Sequence, residues 1–343
     1  MKIASYSTDR AGEVAELLNA GLANKLVGVR DAEYWAWKHE QNPFGRSFML
    51  LAEIDGRLAG VRAFMRWQFE QDQQIIHAAK PVDSVTHPDF QRRGIFSKLT
   101  LEACDLAAEH GIQFLFNTPN KQSTPGYLKL GWRIAGELPV HGKVLHPVRA
   151  TGRAVRWKCT SGIVPPPTAY FRKQPTHASS ILGDPRLGQL LSRRQPSKGQ
   201  LETLRSQAFL EWRYGAHPHI DYYAEFVEGA GDIGEKQFEG VLFYRTNFRG
   251  GMLEIMIDDL IIRDTADHQV VHQLLKKLKQ TTRSDYWVTQ CDPKVSCYDD
   301  LRSARFFRIP KKRIGLAVRP LQANETVPQI ERWSLCFGDL EGL

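Results

Sequence analysis

Val82-Asp83-Ser84-Val85-Thr86-His87-Pro88-Asp89-Phe90-Gln91-Arg92-Arg93-Gly94-Ile95-Phe96 is the stretch on which the fold turns. A β-branched strand enters, a polar turn reverses it, Gly94 closes the turn, and an amphipathic run from Ser97-Lys98-Leu99 leaves as a helix. Turns of this kind leave backbone N–H groups without partners at the positive end of a helix dipole, where a phosphate or pyrophosphate can be held. The same residues also read as an ordinary strand-turn-helix unit with an exposed basic turn, and the motif alone does not separate the two.

Upstream, a short strand-like start is followed by helical spacing through Val14, Leu17, Leu18, Leu22 and Leu26. Tyr34-Trp35-Ala36-Trp37-Lys38-His39 reads as a further helix, stopped at Asn42-Pro43-Phe44-Gly45. Its two tryptophans suit core packing better than a binding platform. Strands are expected over Phe48–Glu53 and Gly60–Phe69 on either side of Asp55-Gly56, with a third over Gln73–Ala79 and the Val82 stretch as the fourth. Downstream, Phe96, Leu99, Ala103, Leu106, Ala107 and His110 can share one helix face, and Gly111 ends that helix. Ile112–Phe116 reads as a buried strand. The sum is an α+β unit ending near residue 145.

The chain has 343 residues, enough for two domains, and 42% hydrophobic content, enough for real cores. Its net charge of +8 makes an anionic partner plausible: a nucleotide-bearing cofactor, a nucleotide sugar, a nucleic acid or an acidic surface. The excess is spread along the chain, so a basic but non-binding surface fits as well. Five scattered cysteines with no zinc-ligand spacing point to reduced thiols and a cytoplasmic protein. No run reaches the roughly 20 apolar residues of a membrane helix, and no metal site is expected.

Self-similarity organises the rest. Tyr34-Trp35-Ala36-Trp37-Lys38-His39 and Pro43 recur as Phe209-Leu210-Glu211-Trp212-Arg213-Tyr214 and Pro218, an offset of 175 between Trp37 and Trp212. At that spacing Asp83 falls on Asp258 and Leu99 on Leu274. With one residue deleted, Pro119 falls on Pro293, Tyr127 on Leu301 and Trp132 on Phe306. The expected organisation is a first domain over 1–145, a basic proline-containing linker over 146–200, and a second copy over 201–343. The linker holds Val164-Pro165-Pro166-Pro167 and Arg193-Arg194-Gln195-Pro196-Ser197-Lys198-Gly199. Where the first copy has Gln91-Arg92-Arg93-Gly94, the second has Ala266-Asp267-His268-Gln269, and Asp264 and Asp267 would repel a phosphate. The second copy is therefore expected to be structural or to shape a substrate site.

Gln91-Arg92-Arg93-Gly94-Ile95-Phe96 after a strand, then Asn120, Ser123, Tyr127, Gly131 and Trp132, together resemble the two signatures of the GNAT superfamily of acyl-CoA-dependent N-acyltransferases. The resemblance spans Val82 to Trp132 and extends to the second copy only in outline. It implies two tandem GNAT-like domains, each a mixed, mostly antiparallel sheet flanked by helices, the second degenerate. It further implies acetyl-CoA as acyl donor and a small-molecule primary amine as acceptor, possible acceptors including an amino sugar or a nucleotide-linked one. Val85 and Thr86 would pair with pantetheine; Gln91, Arg92, Arg93, Gly94, Ile95 and Phe96 would form the pyrophosphate turn, with Asn120 beyond it. Tyr127 would protonate the departing thiolate.

Phe96 departs from the small residue usual at its position, and it either narrows the turn or points into the core. Pro125-Gly126 delays the helix carrying Tyr127, with Thr124 as its expected N-cap. Asp83 is the nearest carboxylate for a general base. His87, Glu40 or a water chain are alternatives, and Asp83 also reads as an ion-paired strand residue. Two other functions remain open from sequence: an aminoacyl-tRNA-dependent transferase of the peptidoglycan-bridge type, for which tRNA binding would be diagnostic, and a non-catalytic CoA-binding module. Nucleic acid is not the expected partner, and the oligomeric state is not legible.

Overall fold

The apolar alternation of the first hundred residues folds into long antiparallel strands, in a computed structural model that describes residues 1–22, 31–160, 169–194, 198–231, 235–263, 268–291, 297–322 and 329–340. The first half runs β1 (Lys2–Ser5), α1 (Ala11–Leu22), α2 (Ala32–Trp35), β2 (Phe48–Ile54), β3 (Arg57–Gln71), β4 (Gln74–Thr86), α3 (Ile95–Glu109), β5 (Phe114–Asn117), α4 (Thr124–Lys129) and β6 (Arg133–Val144). Then come α5 (Pro147–Cys159), β7 (Thr176–His177), α6 (Ala178–Leu182), α7 (Pro185–Arg193) and β8 (Leu201–Thr203). The remainder is α8 (Gln207–Leu210), β9 (Tyr223–Ala230), β10 (Lys236–Arg249), β11 (Met252–Ile262), α9 (His268–Thr281), β12 (Tyr286–Gln290), α10 (Tyr298–Ser303), β13 (Phe307–Pro320) and β14 (Trp333–Ser334).

One continuous sheet joins them in the order β1-β2-β3-β4-β5-β13-β6-β12-β11-β10-β9-β7, with β8 and β14 to the side. The two arms are built alike. β2, β3 and β4 pair antiparallel and β4 then runs parallel to β5; β9, β10 and β11 pair antiparallel and β11 runs parallel to β12. At the centre the last strands are exchanged: β6 pairs with β12 and β13 pairs with β5.

Local details also correspond. α2 and α8 each continue into a π-helical turn, Ala36–Glu40 and Glu211–Gly215. α3 packs so close to β3 that a side chain at Gly60 would strike Ile95 and the Val85 carbonyl. A side chain at Gly240 would strike Val270 and the Ile261 carbonyl in the same way. Three buried clusters result. One lies under α3, one under α9, and the largest, on the other side of the sheet, is shared by both halves.

Several expected elements shift. Gln73–Ala79 and the Val82 stretch are a single strand, β4. Pro81, which has no N–H to give, sits just past Ala79, the last β4 residue paired to β5, where one flank of β4 carries no strand. Ile95, not Phe96, heads the buried face of α3 with Leu99, Ala103 and Ala107. The segment read as a connector is largely helical, in α5, α6 and α7, and Arg194 pairs with Glu202. Leu26, Val164–Pro167, Gln195–Ser197, Asp264–Asp267 and Pro293 lie outside the described residues. The closing segment is core: Trp333 packs on Phe69, Phe114 and Phe116, and Lys80 Nζ donates to the Asp339 carbonyl at 2.8 Å. No helix among the described residues is long and apolar enough to cross a membrane.

Candidate active site

Arg62 stands opposite two residues of β4. Val61 pairs with Val85 and Ala63 with Val82, so Asp83 and Ser84 bulge against it, and Asp83 takes a left-handed backbone (φ 41°). Strain of this kind in a non-glycine residue costs on the order of 1–3 kcal/mol and needs surrounding structure to hold it. Beyond the bulge, β4 has β3 on one side only, because its pairing with β5 stops at Ala79↔Leu115. The Val85 and Thr86 backbones thus border an edge that an extended ligand can join.

The bulge sends its two side chains to different partners. Ser84 Oγ accepts from Arg62 Nη1, and Arg62 Nη2 donates to Tyr127 Oη at 3.1 Å. Arg62 is 1% exposed, lies over the rings of Phe64, Phe96 and Tyr127, and makes no ion pair with a carboxylate among the described residues; its Nε has no acceptor. A buried guanidinium without a counter-charge is expensive, and here two hydroxyl acceptors and three ring faces offset that cost. Sequence reading missed Arg62. The signal was available as a single charge inside the apolar run Ala59-Gly60-Val61-Arg62-Ala63-Phe64.

Asp83 Oδ2 pairs with Lys38 and lies 3.2 Å from His39 Nε2, whose Nδ1 meets Ser47 Oγ at 2.9 Å. Lys38 and His39 come from the π-helical turn, so the bulge is pinned to it. The alternatives for a base lie elsewhere. His87 sits at the turn, where its Nδ1 accepts from the Asp89 amide. Glu40 accepts from the Tyr6 hydroxyl at 3.2 Å; burial pushes that phenol up to about 12, the Trp35 contact opposing the rise and Glu40 adding to it.

At the turn, Arg92 (φ 62°) and Gly94 (φ 73°) adopt left-handed backbones, and Gly94 caps α3. The first amides of α3, Ile95 to Ser97, have no acceptor within the helix. Gln91, Arg92, Arg93 and Gly94 are all exposed. Phe96 turns inward, its ring edge-on to Tyr127 at 5.8 Å, and a Cβ at Gly126 would come within 3.4 Å of it, so the ring bridges α3 and α4. Asn120 shapes the next turn, its Oδ1 accepting from the amides of Gln122 and Ser123. α4 starts at Thr124 with Ser123 as N-cap, one residue earlier than expected, and Pro125 sits harmlessly in its first turn. Tyr127 is 6% exposed, held by Trp132 at 5.0 Å.

The second half has a bulge at the corresponding place, Asp258 between Ile257 and Asp259, but Leu301 stands where Tyr127 does. Among the described residues no cluster of His, Cys, Asp and Glu is arranged to hold a metal ion.

Residues 3–135 match the family model of the acetyltransferase (GNAT) domain. No protein of curated function matches the sequence. Similar solved structures include a conserved protein of unknown function from Enterococcus faecalis, described as a probable N-acyltransferase. It has a TM-score of 0.62 and 12% identity, over 93% of this chain and 72% of that one. A GCN5-related N-acetyltransferase from Anabaena variabilis gives 0.63 and 13%, over 94% and 73%. Eis1 from Mycobacterium abscessus gives 0.56 and 15%, over 94% and 74%. At such identities the likeness is one of fold.

Proposed function

We propose, from the match of residues 3–135 to the acetyltransferase (GNAT) domain model, that the protein moves an acetyl group from acetyl-CoA to a primary amine by direct attack on the thioester. The chain is read as two GNAT-like copies, bounded near residues 145 and 200, with the chemistry confined to the first. The contact between Arg62 and Tyr127 carries this reading. Because Arg62 donates to the phenol oxygen, the phenol's own proton is left for another acceptor, and the departing thiolate is the acceptor the reaction creates. The Arg62 charge then faces the sulfur's developing negative charge through that hydroxyl.

The remaining residues bind and orient. The free edge of β4 at Val85 and Thr86 pairs with pantetheine, and the turn amides from Arg92 to Phe96 meet the pyrophosphate, with Gln91 and Asn120 shaping the turns on either side. Asp83, oriented through Oδ2 by Lys38 and His39, takes the amine's proton. Much of the rate comes from holding amine and carbonyl together. The acceptor class that the basic charge balance favours is an amino sugar, free or nucleotide-linked.

Incubation with acetyl-CoA and a panel of amines, read by thiol release, tests this. CoA binding by calorimetry and turnover on at least one amine are expected. No thiol release across the panel together with no CoA binding would remove the enzyme reading.

A further inference from the structure

A cavity of about 80 Å³ opens in the second half, where β11 and β12 part. Their pairing ends at Ile257↔Thr289, and the next residue on each strand, Asp258 and Gln290, lines the cavity. Asp258 is fully buried; Arg245 Nε stands 3.4 Å away, yet neither carboxylate oxygen accepts a hydrogen bond. Gln290 is 2% exposed, and both its amide oxygen and its amide nitrogen lack partners. Buried polar groups are nearly always hydrogen-bonded, so a carboxylate that has an ion pair but no hydrogen bond, beside an amide that has no partner, calls for a ligand. The lining also carries aliphatic side chains, Leu242, Leu260, Leu275 and Leu301 among them.

The identity of the unpaired atoms selects the ligand. Three are acceptor oxygens and one is a donor nitrogen, so the complement is rich in N–H and poor in acceptors. Arg194 and Arg205 also lie on the lining, but Glu202 holds the first and Asp259 and Asp339 hold the second. With Asp258, the acidic side chains outnumber the basic ones there and oppose an anion. At about 30 Å³ per liquid water, the space suits a molecule of a few heavy atoms. We propose that this cavity is a binding site for a small primary alkylamine, its ammonium on Asp258 and the Gln290 carbonyl, its carbon chain on the leucines. This site is separate from the Arg62–Tyr127 contact and does not depend on the acyltransfer reading.

The test is titration of the full-length protein at neutral pH with propylamine, 1-propanol and propionate, followed by NMR. Propylamine is expected to bind at least about ten-fold tighter than either neutral or anionic analogue, the worth of a charged hydrogen bond. Asp258→Asn should abolish that preference and Tyr127→Phe should leave it intact. Should Asp258→Asn fail to fold, Leu275→Phe, which narrows the cavity, should weaken propylamine binding instead. Equal binding of the three compounds, an unaltered preference in Asp258→Asn, or loss of binding in Tyr127→Phe would overturn the proposal.

Discussion

Trp37 and Trp212 stack at 4.8 Å, and each indole N–H donates to the other's backbone carbonyl, at 2.8 and 2.7 Å. The contact is reciprocal: each residue does for its partner what the partner does for it. It joins the two π-helical turns, and the first of these also carries Lys38 and His39 to the Asp83 bulge. Packing between the halves and the geometry of the candidate site therefore share one element.

Trp37→Phe should cost about 2 kcal/mol, since it trims the stack and leaves a buried carbonyl without its donor. Trp212→Phe should cost a similar amount. The double variant should lose less than the two together, because both changes dismantle one contact. Urea unfolding of the four proteins measures this, and strict additivity would show that the two rings act independently.

Tyr127→Phe should lower kcat by roughly 10²–10⁴-fold, the usual worth of a positioned acid, with CoA affinity unchanged. Arg62→Met keeps much of the bulk and removes the charge, and it too should lower kcat more than it alters CoA binding. Steady-state thiol release and calorimetry separate the two quantities. A rise in KM alone would make Arg62 a binding residue.

Gly94→Ala should destabilise by about 1 kcal/mol through its left-handed backbone alone, because nothing lies within 4 Å of the added carbon. It should also weaken CoA binding by shifting the turn amides. Gly111→Ala is the control: its φ of 76° and open surroundings impose the same strain, but it ends α3 far from the turn. Equal CoA affinity in both variants would detach the turn from cofactor binding.

His217 packs on Trp37 at 4.3 Å, and burial, aided by nearby Arg213, lowers its pKa to about 3. The unfolded chain takes up a proton near 6.5 and the folded one does not, so stability is fully present above 6.5 and is lost as pH falls towards 3. His217→Gln should flatten that part of the stability-versus-pH curve. An unchanged slope would assign acid sensitivity to other groups.

Much of the fold was legible because its signals are local. Asp55-Gly56 fixed a hairpin, Gly94 and Gly111 bracketed a helix, and the tryptophan spacing exposed the recurrence between Trp37 and Trp212. The exchange of β6 and β13 was not legible, since an apolar strand pattern states which face is buried and not which neighbour it pairs with. Arg62 escaped for a related reason. Its importance lies in what it lacks, a counter-charge, and that is known only once the chain around it is placed. Phe96 shared a helix face on paper, but Ile95 wins the core because Gly60 opens a space for it.

The most direct measurement is a crystal structure with acetyl-CoA bound. The expected result is the pyrophosphate on the amides from Arg92 to Phe96, pantetheine along β4 at Val85 and Thr86, and the sulfur within hydrogen-bond reach of the Tyr127 hydroxyl. A sulfur remote from Tyr127, or CoA bound only in the second half, would contradict it.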